Sequence, residues 1–107
     1  MTSTIPFTYS SFYDVPRIIE FKFNGIWYFL RSYFEEEKDD YNKYYDVYQV
    51  PFSDEYILSN PLYFLGELAK CPHLGQIPVK EIGLDPTRRK TIDANKFEQF
   101  LSSRKTS

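Results

Sequence analysis

The chain has 107 residues, a formal net charge of −2 and a single cysteine. That length makes one domain, large enough to bury a real core. One cysteine excludes an internal disulfide framework, which fits a reducing cytosol. The longest apolar run, residues 26–30, is far short of the roughly 20 residues that cross a bilayer. The opening Met1–Pro6 shows neither the basic nor the apolar region of a signal peptide, so a soluble, cytoplasmic protein with no membrane contact is expected. Ten Tyr, ten Phe and one Trp predict a core built from rings, with surplus tyrosines left on the surface, where they suit recognition.

In chain order, residues 1–16 give no clear pattern. From Ile18 to Phe23 the chain alternates, with Ile19, Phe21 and Phe23 on one face and Ile18, Glu20 and Lys22 on the other. Asn24-Gly25 follows, a pair that tolerates the positive φ of a type I′ turn. Ile26 to Phe34 returns as a second strand rich in aromatic and β-branched residues. Six consecutive charged residues, Glu35 to Asp40, then form a solvated tip. Tyr44 to Val50 is the next strand, closed by Pro51.

A helix is expected from Pro61 to about Lys70, with Asn60 as N-cap, Leu62, Leu65, Leu68 and Ala69 as its apolar stripe, and Pro72 as its end. Residues 76–84 read as a short strand entered at Pro78, and Asp85-Pro86 as a turn. A second helix starts with Asp93 as N-cap, Ile92 and Phe97 holding the hydrophobic-staple positions, and Phe97, Phe100 and Leu101 facing inward. Ser102 to Ser107 read as a frayed tail. Together these elements predict an α+β fold: an antiparallel β-meander of four to five strands with two helices packed on one side.

The charge is unevenly placed. Residues 35–55 hold eight carboxylates against Lys38 and Lys43, a local balance of −6, whereas residues 80–107 hold seven cations against four carboxylates, a balance of +3. A charge run is most often a solvated face. Here it lies at a hairpin tip and is followed closely by Tyr41, Tyr44, Tyr45 and Tyr48. Carboxylates that steer encounter, beside rings that slow release, are the composition of a surface meeting a basic partner. The partner-binding residues expected are therefore Glu35, Glu36, Glu37, Asp39, Asp40, Tyr41, Tyr44 and Tyr45. The basic stretch Arg88-Arg89-Lys90 is a solvated turn on the same reasoning, since nucleic-acid domains carry an overall basic balance.

No constellation points to catalysis. His73 is the only histidine, and Cys71-Pro72-His73 supplies two ligand types with no second Cys or His to complete a metal site. Glycines at 25, 66, 75 and 83 make no phosphate-cradling loop. The paired carboxylates lie in an exposed run, where a carboxyl keeps its ordinary acidity and makes a poor general acid. The chain is not expected to be an enzyme, and no cofactor or metal is expected.

Trp27-Tyr28-Phe29-Leu30-Arg31-Ser32-Tyr33-Phe34 running into Glu35-Glu36-Glu37, then Tyr45-Asp46-Val47-Tyr48, with Gly75-Gln76-Ile77-Pro78-Val79 and residues 85–93, resembles the small immunity proteins encoded beside toxins of bacterial contact-dependent growth inhibition systems. The resemblance covers somewhat under half the chain. It implies direct inhibition: binding of a cognate toxin domain, often a nuclease, in the cytosol, and blockage of its active site or substrate surface without a cofactor. Two other readings share the residues: a nucleic-acid mimic that inhibits a DNA- or RNA-binding complex, and a single-stranded nucleic-acid binder that stacks bases on its tyrosines.

Overall fold

The computed structural model describes residues 4–13, 15–59, 70–83 and 91–104. Its centre is a five-stranded antiparallel sheet made of β2 (Thr8–Tyr13), β3 (Val15–Phe23), β4 (Ile26–Arg31), β7 (Tyr44–Val50) and β8 (His73–Pro78), in that spatial order. Two smaller ribbons flank it: β1 (Thr4–Pro6) pairs with β9 (Thr91–Asp93), and β5 (Phe34–Glu35) pairs with β6 (Asp40–Tyr41). The helices are α1 (Asp54–Ser59) and α2 (Ala94–Arg104). The fold is α+β. No helix among the described residues is long and apolar enough to cross a membrane.

The β3–β4 hairpin forms where alternation and turn chemistry agree. Asn24 and Gly25 take φ of +51° and +80°, the left-handed pair a type I′ turn needs. The turn sets Phe21 opposite Tyr28 and Ile19 opposite Leu30. These four share one sheet face with Tyr45 and Val47 of β7 and Ile77 of β8, and α2 closes over them. Phe97 of α2 lies at the centre, its ring edge-on to Phe21 at 5.0 Å and to Tyr28 at 4.9 Å, the geometry aromatic pairs prefer. Asp93 caps the helix as its sequence predicts: its Oδ1 accepts the backbone N–H groups of Asn95 and Lys96 at 2.8 and 3.1 Å.

The opposite sheet face holds a second core. Phe29 and Val50 pack with Ile57 of α1 and Cys71, flanked by Ile18, Trp27, Tyr48 and Phe52. Asp54 at the start of α1 ties this layer to the sheet, accepting from Lys22 Nζ and Trp27 Nε1, each at 2.7 Å. The central strands are thus covered on both faces, by α2 on one and by α1 on the other.

Several boundaries differ from those expected. The strand expected over 26–34 stops at Arg31. The chain changes partner at Ser32-Tyr33 and restarts as β5: the Ser32 N–H still bonds the Arg17 carbonyl in the β3–β4 register, whereas the Tyr33 carbonyl already accepts from Asn42 N–H in the β5–β6 register, which is shifted by two residues from the pairing of β4 with β7. The strand expected over 76–84 lies earlier, and Pro78, lacking an N–H, ends it instead of opening it. A 3-10 turn over Val79–Glu81 follows. Ser102, Ser103 and Arg104 are not a frayed tail but the last turn of α2, where Ser103 Oγ donates to the Phe100 carbonyl and Leu101 still meets the core. The N-terminal segment, which gave no pattern, supplies both an edge strand, β2, and the β1 partner of β9. The helix expected from Pro61, the Asp85-Pro86 turn and Arg88-Arg89-Lys90 lie outside the described residues.

Candidate functional site: an acidic hairpin tip

The acidic run forms the end of the small β5–β6 ribbon that projects between β4 and β7. Glu36, Glu37 and Lys38 make one 3-10 turn, and Asp39 closes it in the left-handed region at φ +51°, its N–H donating to the Glu36 carbonyl at 3.2 Å. Asp is among the few side chains that tolerate this conformation. None of Glu36, Glu37 or Lys38 is buried, and Asp39 and Asp40 are also exposed.

The expected site residues divide into three groups. Glu36, Glu37, Asp39 and Asp40 point to solvent, and none of them forms an ion pair with a described residue. Asp40 only accepts its neighbour's N–H, that of Tyr41, at 2.7 Å. Glu35 is drawn inward: its carboxylate accepts from Asn42 Nδ2 at 2.9 Å and lies 3.5 Å from Lys38 Nζ. Tyr41 is half-buried, edge-on to Phe34 at 5.2 Å, with the Arg17 guanidinium 4.6 Å from its ring centre. Tyr44 is 43% exposed.

Tyr45 is not a surface anchor. It is fully buried, and its hydroxyl donates to the Pro16 carbonyl. Successive residues of a strand face opposite ways, and the pairing of β7 with β8 puts Tyr45 opposite buried Ile77 and sends Tyr44 outward. Burial pushes the Tyr45 phenol far above its ordinary acidity range, against a smaller opposite pull from the Arg17 charge.

Three residues of the tip do not stand out in the sequence. Phe34 is 48% exposed beside the carboxylates; nothing in an unbroken aromatic strand pattern marks it as exposed. Asn42 and Ser32 organise the base. Asn42 binds Glu35, its Oδ1 accepts the Tyr44 N–H at 2.8 Å, and its carbonyl accepts from Ser32 Oγ at 2.7 Å. Ser32 Oγ in turn accepts from Arg17 Nη1 at 3.2 Å. Asn between two strands is a turn signal, so Asn42 could have been found that way. The tip is therefore a pre-ordered projection, held by its base and free at its carboxylates.

Elsewhere on the sheet, His73 Nε2 meets Asp46 Oδ1 at 2.9 Å and its ring packs on Tyr48 at 5.2 Å, while Cys71 is buried behind Phe29. The two ligand types of Cys71-Pro72-His73 thus face different surroundings. Among the described residues no three His, Cys, Asp or Glu side chains gather in a way that could hold a metal ion. No family model, curated protein or solved structure matches this chain.

Proposed function

We propose that this chain is a non-catalytic binding protein of the immunity type, which neutralises a toxin domain, a basic nuclease, by docking its acidic hairpin tip on the toxin's substrate surface. One observation carries the reading: four carboxylates, Glu36, Glu37, Asp39 and Asp40, stand exposed on an ordered projection with no cation of the described residues within ion-pair distance. A pre-ordered cluster of like charge loses little entropy on docking. It speeds encounter with a positively charged surface, toward about 10⁸–10⁹ M⁻¹s⁻¹ at low salt. Nuclease surfaces hold phosphate with Lys and Arg, and carboxylates at the spacing of one turn present the same charge to them.

Phe34 and Tyr44, exposed beside the tip, would supply the apolar anchors that slow release. In this reading the protein acts in the cytosol and needs no cofactor. The test is co-purification with the product of the gene immediately upstream, followed by growth protection against that product. Glu36→Lys with Glu37→Lys should slow association at least about tenfold and abolish protection while leaving the melting curve in place. Full protection by this variant would remove the tip from the interface.

A further inference from the structure

β8 (His73–Pro78) ends the five-stranded sheet: β7 lies on one side of it and no described strand on the other. The bond just beyond the strand gives its phase. Val79 N–H donates to the Lys43 carbonyl at 2.9 Å, and Ile77 stands opposite Tyr45 and Gln76 opposite Asp46. Antiparallel pairs alternate between bonded and non-bonded. Ile77 therefore bonds to β7, and Gln76 aims its backbone N–H and C=O away from it. Neither of these two groups has a hydrogen-bond partner among the described residues.

Such an edge is a template for a further strand, and edges are commonly guarded by charged side chains. β8 carries no Lys, Arg, Asp or Glu, and its one titratable residue, His73, is held by Asp46 at 2.9 Å. The register irregularity beside Tyr48 and Pro78, which has no N–H, confine the usable stretch to the middle of the strand. Beside this edge, on the α2 side, runs an open groove of about 590 Å³. Its walls include Ile77, Pro78 and Phe100, with Glu81, Lys96 and Gln99.

Charge and symmetry choose the occupant. A basic partner, of the kind the acidic tip attracts, gains nothing from a strand without a carboxylate. The groove holds one charge of each sign, Glu81 and Lys96, so a second copy is not repelled. Two identical strands in antiparallel pairing are their own complement about a two-fold axis. Centred on Gln76, that pairing exchanges two backbone bonds between the two Gln76 residues. It sets Ile77 opposite Gly75, which has no side chain to obstruct it, and Leu74 opposite Pro78. No like charges meet across it.

We infer that the β8 edge is a dimerisation site for a second copy of this chain, joined antiparallel through Gln76 into one continuous sheet. The contact is short, so the dimer is weak and reversible, at the small end of specific interfaces. The inference does not depend on the proposed docking of the tip and uses none of its carboxylates or anchors.

The test is sedimentation velocity on the full chain from about 5 µM to about 500 µM. A reversible shift from monomer to dimer within that range is expected. Gln76→Pro deletes the outward N–H without touching the β7 ladder. It should weaken dimerisation at least about tenfold and leave the melting curve of the dilute protein in place. Where the melting curve moves, a cysteine pair decides. Bonded antiparallel residues lie about 5.5 Å apart at Cα, within disulfide reach. Gln76→Cys should form a covalent dimer on mild oxidation faster than Glu98→Cys, at an exposed position on α2 outside the groove. The parent chain, whose Cys71 is buried, should form none. A monomer at every concentration would overturn the site. A dimer that a well-folded Gln76→Pro leaves as tight as the parent's, or one in which Gln76→Cys cross-links no faster than Glu98→Cys, would place the contact elsewhere and overturn it too. A chain that stays monomeric, but whose affinity for the upstream gene product falls with Gln76→Pro, would give the edge to a strand of that partner instead of a second copy.

Discussion

Tyr44 and Tyr45 are neighbours in sequence, yet replacing them with alanine should have opposite consequences. Tyr45 is fully buried among Ile77, Val47 and the other residues of the α2-side core, and its hydroxyl satisfies the Pro16 carbonyl. Truncating a buried ring costs about 3–5 kcal/mol in lost contacts and residual cavity. The orphaned carbonyl adds about 1 kcal/mol or more, for a total of about 4–6 kcal/mol. Against the roughly 5–15 kcal/mol of a typical domain this is a large share, and it corresponds to a melting-temperature drop of more than about 15 °C. Tyr44, at 43% exposure, should cost about 0.5 kcal/mol or less and lower the affinity for the proposed partner. Urea unfolding followed by Trp27 fluorescence, with the slope compared between variants, separates the two. Tyr45→Phe isolates the hydroxyl and should lose about 1–3 kcal/mol. A loss below about 1.5 kcal/mol for Tyr45→Ala, or an equal loss for Tyr44→Ala, would refute the assignment of faces on β7 and with it the choice of Phe34 and Tyr44 as docking anchors.

The hydrogen bond from Lys22, and after it that from Trp27, hold the exposed Asp54 carboxyl below its ordinary pKa of 3.8. A folded-state pKa below the unfolded one stabilises the fold above the unfolded value, and that contribution is lost as pH falls through the folded value. Asp54→Asn should therefore flatten the acid limb of the stability–pH profile below about pH 4, measured by urea midpoints across pH; an unaltered acid limb would show that the contact contributes nothing. Two glycines separate backbone strain from steric clash. Gly25 has φ +80° and open space where a methyl group would stand, whereas at Gly83, φ +69°, a Cβ would meet Asp93 Cβ at 2.5 Å. Gly25→Ala should cost about 1 kcal/mol. Gly83→Ala should cost clearly more, since it also pushes on the residue that caps α2; equal midpoints for the two variants would contradict this.

The parts of the fold legible in the sequence are those where local signals agree with one another. Alternation from Ile18 to Phe23 and the Asn24-Gly25 pair both demand a hairpin, and the positive φ at both turn residues follows. Asp93 as N-cap, with Ile92 and Phe97 bracketing it, marks the start of α2 because capping and stapling act within a few residues. The acidic tip was legible for a similar reason: six adjacent charges cannot be buried, whatever the rest of the chain does.

Long-range contacts decided the rest. Residues 26–34 and 44–50 carry apolar side chains on both sides of the strand, because the sheet is covered on both faces, so alternation could not tell Tyr44 from Tyr45 or mark Phe34 as exposed. The strand break at Ser32-Tyr33 comes from a two-residue change of register, from the β4–β7 pairing to the β5–β6 pairing that Tyr33 and Asn42 begin, and β-propensity is blind to it. Glu35 belongs to the charge run in sequence but to the ribbon's base in space, because Asn42 reaches it across the ribbon. The sequence alone determined that the charged run would stand in solvent, since burying those charges is too costly. Only the packing of strands from distant parts of the chain determined which rings stand beside it, because strand register, not residue type, chooses the face a side chain takes.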